Sequence, residues 1–229
     1  IIYVGKAKNL KKRVSSYFIL QMALGLDCSN ALARKCNSEK ILKVAFETDD
    51  HIDDIVLMHQ SSKTYLQAKR KLSLSDRVGS DFFKTIEQFV RQFHNSQNSK
   101  DSYVAITSGE TSEPIRKHLK KVVNSARLSR SSIEQNPMTK SELAAFGKLK
   151  RCINKAYEKY GFNKPSNIEI GRLVRQIYFV TLDVEQYGIH EKSFLESIQN
   201  KFIVESNLVW DIVLTQTMYW TTNRQSVDV

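Results

Sequence analysis

The acidic residues that precede the apolar segment IVLM are unusually dense. Five carboxylates fall within eight positions: Glu47, Asp49, Asp50, Asp53 and Asp54. Carboxylates at this density repel one another unless a cation or basic side chains compensate them. Carboxylate oxygens are also the ligands that hard divalent cations prefer. The cluster is therefore either a solvated charged turn or one part of a metal site.

A second polar group ends the next apolar segment, KTYLQAK. In an extended strand the side chains of Gln67 and Lys69 lie on one face and that of Ala68 lies on the other. The intervening QSS predicts a turn, so the two segments form a hairpin in which Asp54 can lie across from Gln67. A hairpin with solvated, weakly paired charges at its ends is the simpler interpretation. The shared face of Gln67 and Lys69 in an otherwise apolar strand favours a functional one.

Phosphodiester hydrolysis matches these residue types. At neutral pH it needs a divalent cation that polarises the phosphate and activates water, held by oxygen ligands around an open position. A fixed positive charge near the developing negative charge lowers the barrier further. Asp54 and Gln67 would order the metal, and Lys69 would supply the fixed charge. Asp53 is the alternative to Asp54, because one sequence does not distinguish adjacent acids.

The surrounding segments predict an α/β core in the order β-β-β-α-β. The segments ILKVAFE, DDIVLMH and KTYLQAK are rich in β-branched and aromatic residues and predict three strands. GSDFFKTIEQFVRQFH predicts an amphipathic helix with Ser80 as its N-cap, and YVAIT predicts a buried strand. Before them, helical spacing of apolar residues predicts a largely buried helix from Tyr17 to about Arg34.

The pattern changes to helices in the second half. SEPIRKHLKKVVNSARL predicts a helix with Pro114 in its first turn. Thr139 and Glu142 form a capping-box signature for the next helix, and Gly161 predicts its end. IYFVTLDVE, at 177–185, predicts a last strand, and the remaining chain predicts helices. We expect a basic segment at 1–16, a core domain at 17–128, and a mainly helical extension at 138–229 that leads into further domains of a longer polypeptide.

Composition narrows the class of partner. The chain has 229 residues with 35 Lys and Arg against 24 Asp and Glu, a formal charge of +11 that favours a polyanion such as nucleic acid. No apolar run approaches the roughly 18 to 20 residues that span a bilayer, and no signal-peptide pattern opens the chain. The three cysteines form no CxxC pair, which argues against a zinc site or a disulfide framework. We expect a cytoplasmic protein without membrane partners.

The core segments also resemble a known nuclease family. VAFETDDHIDDIVL, TYLQAKRKLSLSD and SDFFKTIEQFVRQF, followed by YVAITSGETSEPIRKHLKKVV, resemble the PD-(D/E)xK nuclease domains in the Mrr-like Gln-x-Lys variant. The resemblance is greatest to nuclease effectors of bacterial antiphage proteins, such as Avs-type STAND ATPases and CBASS endonucleases. It covers roughly residues 17–220 and is most specific from Val44 to Phe93. It implies a restriction-endonuclease-like α/β fold, with a mixed central sheet flanked by helices and a mainly helical C-terminal extension.

The same resemblance implies roles for individual residues. Asp54 is the metal-binding acid, Gln67 stands where Glu is usual, and Lys69 is the catalytic lysine. Asp53 and Glu47 are further candidates for the metal, which would be Mg²⁺ or Mn²⁺. Family members often carry another acid or Gln on the first helix, and Gln21 is the candidate in this chain. The amide at Gln67 is a poorer cation ligand than a carboxylate, which puts metal number and affinity in doubt.

The resemblance further implies double-stranded DNA as the substrate and activation by oligomerisation of a larger defence protein. Basic residues near the site and on the 112–128 helix are candidates for phosphate contacts. They are Arg70, Lys71, Lys117, Lys120 and Lys121. A module that keeps this fold and binds nucleic acid or assembles without catalysis is the alternative from another functional class.

The first eighteen residues carry a second resemblance. IIYVGKAKNLKKRVSSYF resembles the YIG half of the GIY-YIG nuclease motif found in UvrC proteins. Tyr3, Lys6 and Arg13 would be the matching catalytic residues, with Gly5 in the motif, and Glu47 lies at a compatible distance for the metal-binding glutamate. The strand with the GIY tripeptide is absent, since the chain starts inside the motif. A basic strand-turn-helix that faces solvent or touches phosphate is the other interpretation.

Overall fold

The computed structural model describes residues 6–26, 31–32, 40–46, 48–52, 54–96, 98–129, 133, 136–185, 188–202 and 205–228. Within residues 6–9 and at 202 it describes the backbone alone. None of the helices in these ranges combines the length and the apolar character that a membrane crossing requires.

Six strands in the described part of the chain form one mixed sheet. They are β1 (Lys43–Phe46), β2 (Ile55–Met58), β3 (Lys63–Lys69), β4 (Ser102–Thr107), β5 (Ile177–Thr181) and β6 (Ser226–Asp228). Their order across the sheet is β5-β4-β3-β2-β1-β6. The neighbours β3, β4 and β5 run parallel, whereas β2, β1 and β6 are joined by antiparallel pairing. This sheet confirms the expected mixed α/β fold class.

Helices cover both faces of the sheet. They are α1 (Lys6–Ala23), α2 (Asp81–Ser96), α3 (Lys120–Leu128), α4 (Lys140–Lys159), α5 (Asn167–Gln176), α6 (Ile189–Phe202) and α7 (Ser206–Thr222), with a π-helical segment (Pro114–Leu119) running into α3. The helices α2 to α5 pack on one face and α1, α6 and α7 on the other. Period-two alternation divides the strands between the two cores: Tyr65 belongs to the first and Leu66 to the second.

Several local predictions are confirmed. The hydroxyl of Ser80 accepts a hydrogen bond from the Phe83 backbone N–H at 3.2 Å, as an N-cap does. Thr139 and Glu142 form the predicted capping box at the start of α4. Gly161, just after α4, has a φ of +67°, which glycine adopts without strain. Strands β1 to β4 lie where the alternation predicted them.

The first helix differs from its prediction at both ends. It spans Lys6–Ala23 and not Tyr17 to Arg34. It ends early because Gly25 has a φ of +61°, and the Leu26 N–H bonds back to the Gln21 carbonyl in a helix-terminating turn. The apolar pattern beyond Gly25 misled the prediction, since a buried turn also places apolar side chains inward. Residues 27–30 and 33–39 lie outside the described residues.

The second half contributes more to the sheet than expected. Strand β5 is shorter than predicted and pairs with β4, and β6 pairs with β1 at the opposite edge. Sequence reasoning missed β6 and α5, although Ser166 and Glu169 form a second capping box at the start of α5. The sheet thus takes strands from both sides of the proposed division near residue 128, which stays a prediction.

The three parallel strands end together at one end of the sheet. Strands β3, β4 and β5 end side by side, in register from Lys69 to Thr107 and from Thr107 to Thr181. Strand β2 is antiparallel to β3, so the acids before Ile55 lie at the same edge. Ligands in α/β proteins bind outside the carboxyl ends of parallel strands. We call this the C-terminal edge.

His94 makes the fold sensitive to acid. Its ring stacks on Phe162 at 4.0 Å and meets Tyr157 edge-on. Burial lowers the pKa of His94 from 6.5, and the Glu169 carboxylate opposes this only in part. Below about pH 6.5 the unfolded chain therefore binds a proton that the folded chain does not, so stability decreases as the pH falls.

We expect the free energy of unfolding in urea to fall between pH 7 and pH 5, and to fall less in the His94→Gln variant. That variant should also be less stable than the wild type at pH 8, where only ring packing is lost. An equal decrease between pH 7 and pH 5 in the two proteins would contradict a role for His94. Some pH dependence should remain in the variant, because burial also lowers the pKa of His51.

Candidate active site

The carboxylate of Asp54 is the centre of the polar contacts at the C-terminal edge. Its Oδ2 accepts hydrogen bonds from the side-chain amide of Gln67 and from the Ala68 backbone N–H, the latter at 2.9 Å. Its Oδ1 lies 3.1 Å from the Lys11 ammonium. The Asp54 side chain is 15% exposed, so this charge is largely removed from water and depends on its donors.

Strand register explains why these groups meet. Ile55 pairs with Leu66 in the antiparallel β2–β3 ladder, which places Asp54 one step beyond, opposite Gln67. At that point the Ala68 N–H can reach the carboxylate. The hairpin geometry predicted for Asp54 and Gln67 is therefore present, and the two side chains are in direct contact.

A residue on α2 holds the acidic loop in place. Gln92 is 1% exposed; its Oε1 accepts from the His51 backbone N–H at 2.9 Å, and its amide donates to Asp50 at 3.3 Å. The loop between β1 and β2 is thus attached to the helix that packs on the first core. Sequence reasoning identified the α2 helix but not this polar contact, because Gln92 lies on its buried face.

The Gln67 side chain offers an oxygen for a metal ligand. It is 4% exposed, and its Oε1 is buried with no hydrogen-bond partner among the described residues. An unsatisfied buried carbonyl oxygen costs free energy unless a cation or water binds it. Asp54 and Gln67 together fit part of an oxygen ligand set for Mg²⁺ or Mn²⁺. The described residues contain no group of three or more His, Cys, Asp or Glu that could complete it, and the candidates Glu47 and Asp53 lie outside them.

Lys69 lies at the end of β3, two positions after Gln67 and paired in register with Thr107 of β4. Its side chain is partly exposed, and no described residue forms an ion pair with it. Strand alternation places it on the same face as Gln67. Lys69 is therefore available to a ligand at the C-terminal edge.

Two ion pairs hold the next residue, Arg70. Its guanidinium lies 2.7 Å from Glu110 and 3.6 Å from Glu185, which follow β4 and β5 respectively. The Ser108 hydroxyl also donates to the Arg70 carbonyl at 2.6 Å. These contacts tie the ends of the three parallel strands together. Arg70 is thus engaged in structure, whereas the neighbouring Lys71 is exposed; DNA contact by either residue stays a prediction.

The basic candidates on the π-helix and α3 are partly neutralised. Lys117 lies 2.7 Å from Glu113, and Lys121 lies 2.7 Å from Glu142. Lys117 and Glu113 are both well exposed, at 68% and 58%, so that pair is open to solvent and weak. In the second pair Lys121 is 66% exposed, whereas the Glu142 side chain is 7% exposed. The role of both lysines in DNA binding, and that of Lys120, stays a prediction.

The residues of the GIY-YIG resemblance are only partly described. Tyr3, Gly5 and the Lys6 side chain lie outside the described residues. Arg13, on α1, forms an ion pair with Glu191 and donates to the Val184 carbonyl at 3.2 Å. Both charged side chains are mostly buried, at 13% and 7% exposed. In this arrangement Arg13 joins α1 to the segment between β5 and α6.

Another residue of α1 reaches the site instead. Lys11, two positions before Arg13, contacts Asp54. Sequence reasoning missed this contact because the predicted helix began only at Tyr17. Gln21, the candidate on the first helix, is buried and donates its amide to the Tyr17 hydroxyl at 3.0 Å. Its own Oε1 lacks a hydrogen-bond partner.

Comparison with known proteins places a nuclease-like segment at the start of the chain. A family model for the UvrC-like GIY-YIG domain matches residues 1–57. The UvrABC system protein C of Methanococcus maripaludis is 30% identical over 129 residues, which cover 53% of this chain and 22% of that protein. The chain therefore spans about a fifth of the length of this curated relative. These matches support a nuclease and agree with the GIY-YIG resemblance of the N-terminal segment.

Solved structures match over nearly the whole chain. The Cap4 SAVED/CARF-domain containing receptor of Acinetobacter baumannii, with the cyclic trinucleotide 3′3′3′-cAAA, has a TM-score of 0.53 and 10% identity, covering 98% of this chain and 45% of that one. The Cap4 receptor of Moraxella osloensis has a TM-score of 0.48 and 12% identity, covering 95% of this chain and 44% of that one. The first of these similarities shows a shared fold. The PD-(D/E)xK resemblance itself rests on the residues of the chain.

The Arg13–Glu191 pair predicts a structural effect of substitution. Arg13→Met would leave the buried Glu191 carboxylate without its cation, which costs about 1–3 kcal/mol. We expect the free energy of unfolding, measured in urea, to fall by about that amount. Lys12→Met on the same helix is the matched control and should change it by less than about 0.5 kcal/mol. Equal stability of the two variants would show that the ion pair contributes nothing.

Proposed function

We propose that this chain is the nuclease part of a larger protein and hydrolyses DNA phosphodiester bonds with a divalent cation. The observation that carries the proposal is the contact of Asp54 with Gln67 and Ala68, beside a buried Gln67 oxygen to which no described residue donates a hydrogen bond. Lys69, on the same strand, adds a positive charge. The family match over residues 1–57 and the UvrC relative also support nuclease activity.

The chemistry of each side chain at the site suggests its role in the proposed reaction. Asp54 and Gln67 would hold Mg²⁺ or Mn²⁺, with Asp53 or Glu47 as further ligands. When bound, the cation would polarise the scissile phosphate and activate water. The Ala68 N–H fixes the Asp54 carboxylate so that it need not reorganise. Lys69 would stabilise the negative charge that develops on the phosphate, a role that suits a compact ammonium.

DNA as the substrate agrees with the charge of the chain. A formal charge of +11 favours a polyanion and predicts binding that weakens as salt is raised. Double-stranded DNA, activation by oligomerisation and a role in antiphage defence are the parts of the proposal that come from the PD-(D/E)xK resemblance. The fold shared with the Acinetobacter Cap4 receptor is compatible with them.

A GIY-YIG centre is the second candidate, and the family match favours it. That match covers residues 1–57, which include Tyr3, Lys6, Arg13 and Glu47. In its favour, the YIG-like motif at the start of the chain agrees directly with the UvrC-like GIY-YIG family model. Against it is the position of Arg13, whose guanidinium is committed to Glu191 and a backbone carbonyl and so is not free to contact phosphate. Both candidates are nucleases, and they differ in which residues are essential.

A plasmid-cleavage assay distinguishes the two centres. With purified protein, supercoiled plasmid and Mg²⁺, we expect Lys69→Ala to slow cleavage by about 100-fold or more, since a fixed transition-state charge is lost. Tyr3→Phe should cleave at close to the wild-type rate. Lys164→Ala, an exposed lysine after α4, is the matched control for loss of one positive charge.

If Tyr3→Phe cleaves slowly and Lys69→Ala cleaves at the wild-type rate, the catalytic centre lies in the N-terminal motif. Absence of cleavage by the wild type, together with unchanged DNA affinity in Asp54→Ala, would favour the non-catalytic binding module.

A further inference from the structure

We infer that Lys11 belongs to the metal site, where it neutralises Asp54 in the metal-free protein and must leave Oδ1 when a divalent cation binds. The inference rests on the proposed function and assigns a role to a residue that neither family resemblance places in catalysis. It is carried by the Lys11–Asp54 contact of 3.1 Å and by the burial of both side chains, which are 18% and 15% exposed.

The donors around Asp54 leave one oxygen for exchange. Oδ2 already accepts from the Ala68 N–H, which belongs to the backbone of β3, and from the side-chain amide of Gln67, which is 4% exposed. Oδ1 faces Lys11, which lies at the end of a flexible four-carbon chain on another element. A cation that binds Asp54 must therefore use Oδ1. Among the donors that the described residues provide to Asp54, Lys11 has the longer and more exposed side chain, so it is the one we expect to move.

Electrostatics makes the two cations competitors. An ammonium and a divalent cation on the same carboxylate repel each other, and the repulsion is strong where water is largely excluded. The Asp54 charge is compensated both without and with metal: Lys11 neutralises it in the metal-free protein, and the cation neutralises it in the metal-bound protein. The protein thus folds without metal at this site, at the expense of metal affinity.

The second oxygen ligand supports the same exchange. The Gln67 amide donates to Asp54, while its Oε1 is buried and has no partner in the part of the chain that the structure describes. This side chain can therefore bind Asp54 through nitrogen and a cation through oxygen at the same time. Displaced from Oδ1, the Lys11 ammonium remains near the C-terminal edge, where a DNA phosphate would provide its next partner.

Metal titration tests the inference directly. Mn²⁺ binding would be measured by calorimetry on the wild type, Lys11→Met, Lys11→Arg and the control Lys12→Met. We expect Lys11→Met to bind Mn²⁺ at least about fivefold more tightly, because the competing charge is gone. Lys11→Arg keeps the charge and should stay within about twofold of the wild type, as should Lys12→Met.

Thermal unfolding separates competition from damage to the fold. Without metal, Lys11→Met should melt at a lower temperature than the wild type, and saturating Mn²⁺ should raise its melting temperature by more than it raises that of the wild type. Equal or weaker Mn²⁺ binding by Lys11→Met would overturn the inference. So would a melting temperature that Mn²⁺ raises no more than in the wild type.

The outcomes for Lys11 and for nuclease activity can be told apart. If Lys69→Ala slows cleavage while Lys11→Met binds Mn²⁺ like Lys12→Met, the proposed function stands and the role of Lys11 falls. If Lys11→Met binds Mn²⁺ more tightly while Lys69→Ala cleaves normally, the role of Lys11 stands. Lys11 then competes with metal at a site that is not the nuclease centre. If neither the wild-type protein nor Lys11→Met binds Mn²⁺, the inference is overturned.

Discussion

Fixation of one carboxylate, Asp54, underlies the arrangement of the whole C-terminal edge. The β2–β3 register places it opposite Gln67, and the Ala68 N–H then holds it within the ladder. A largely buried charge in this position requires a counter-charge, which Lys11 of α1 supplies. The apolar side chains of α1 pack in the second core and bring Lys11 within reach of Asp54.

Local sequence signals predicted the fold well where the pattern was periodic and the caps were explicit. The alternation in KTYLQAK set β3 at 63–69, and Ser80 and Thr139 marked helix starts that the structure contains. The prediction failed at α1, because Gly25 ends the helix although apolar residues continue at helical spacing beyond it. It also missed β6, whose three residues gain their strand conformation from pairing with β1 and not from their own pattern.

The contacts at the site also differ in whether the sequence predicts them. Contact between Asp54 and Gln67 follows from hairpin geometry, which a single sequence can reveal. The Lys11 contact depends on how a helix packs across the sheet, and the role of Arg13 depends on Glu191, far along the chain. Long-range packing of this kind leaves no trace in local spacing. It changes the interpretation of the N-terminal motif, since one of its expected catalytic groups is a structural ion pair in this fold.

The contacts of α1 also affect the order in which parts of the chain can fold. Ser16 bonds to Thr217 across 201 positions, and Arg13 reaches Glu191 across 178. Chains emerge from the ribosome with the N-terminus first, so α1 is made long before α6 and α7, against which it packs. Contacts between such distant segments also slow folding, because a large loop must close before they form. The first helix therefore meets α6 and α7 only after both have been made, although its contact with Asp54 can form once β2 and β3 are present.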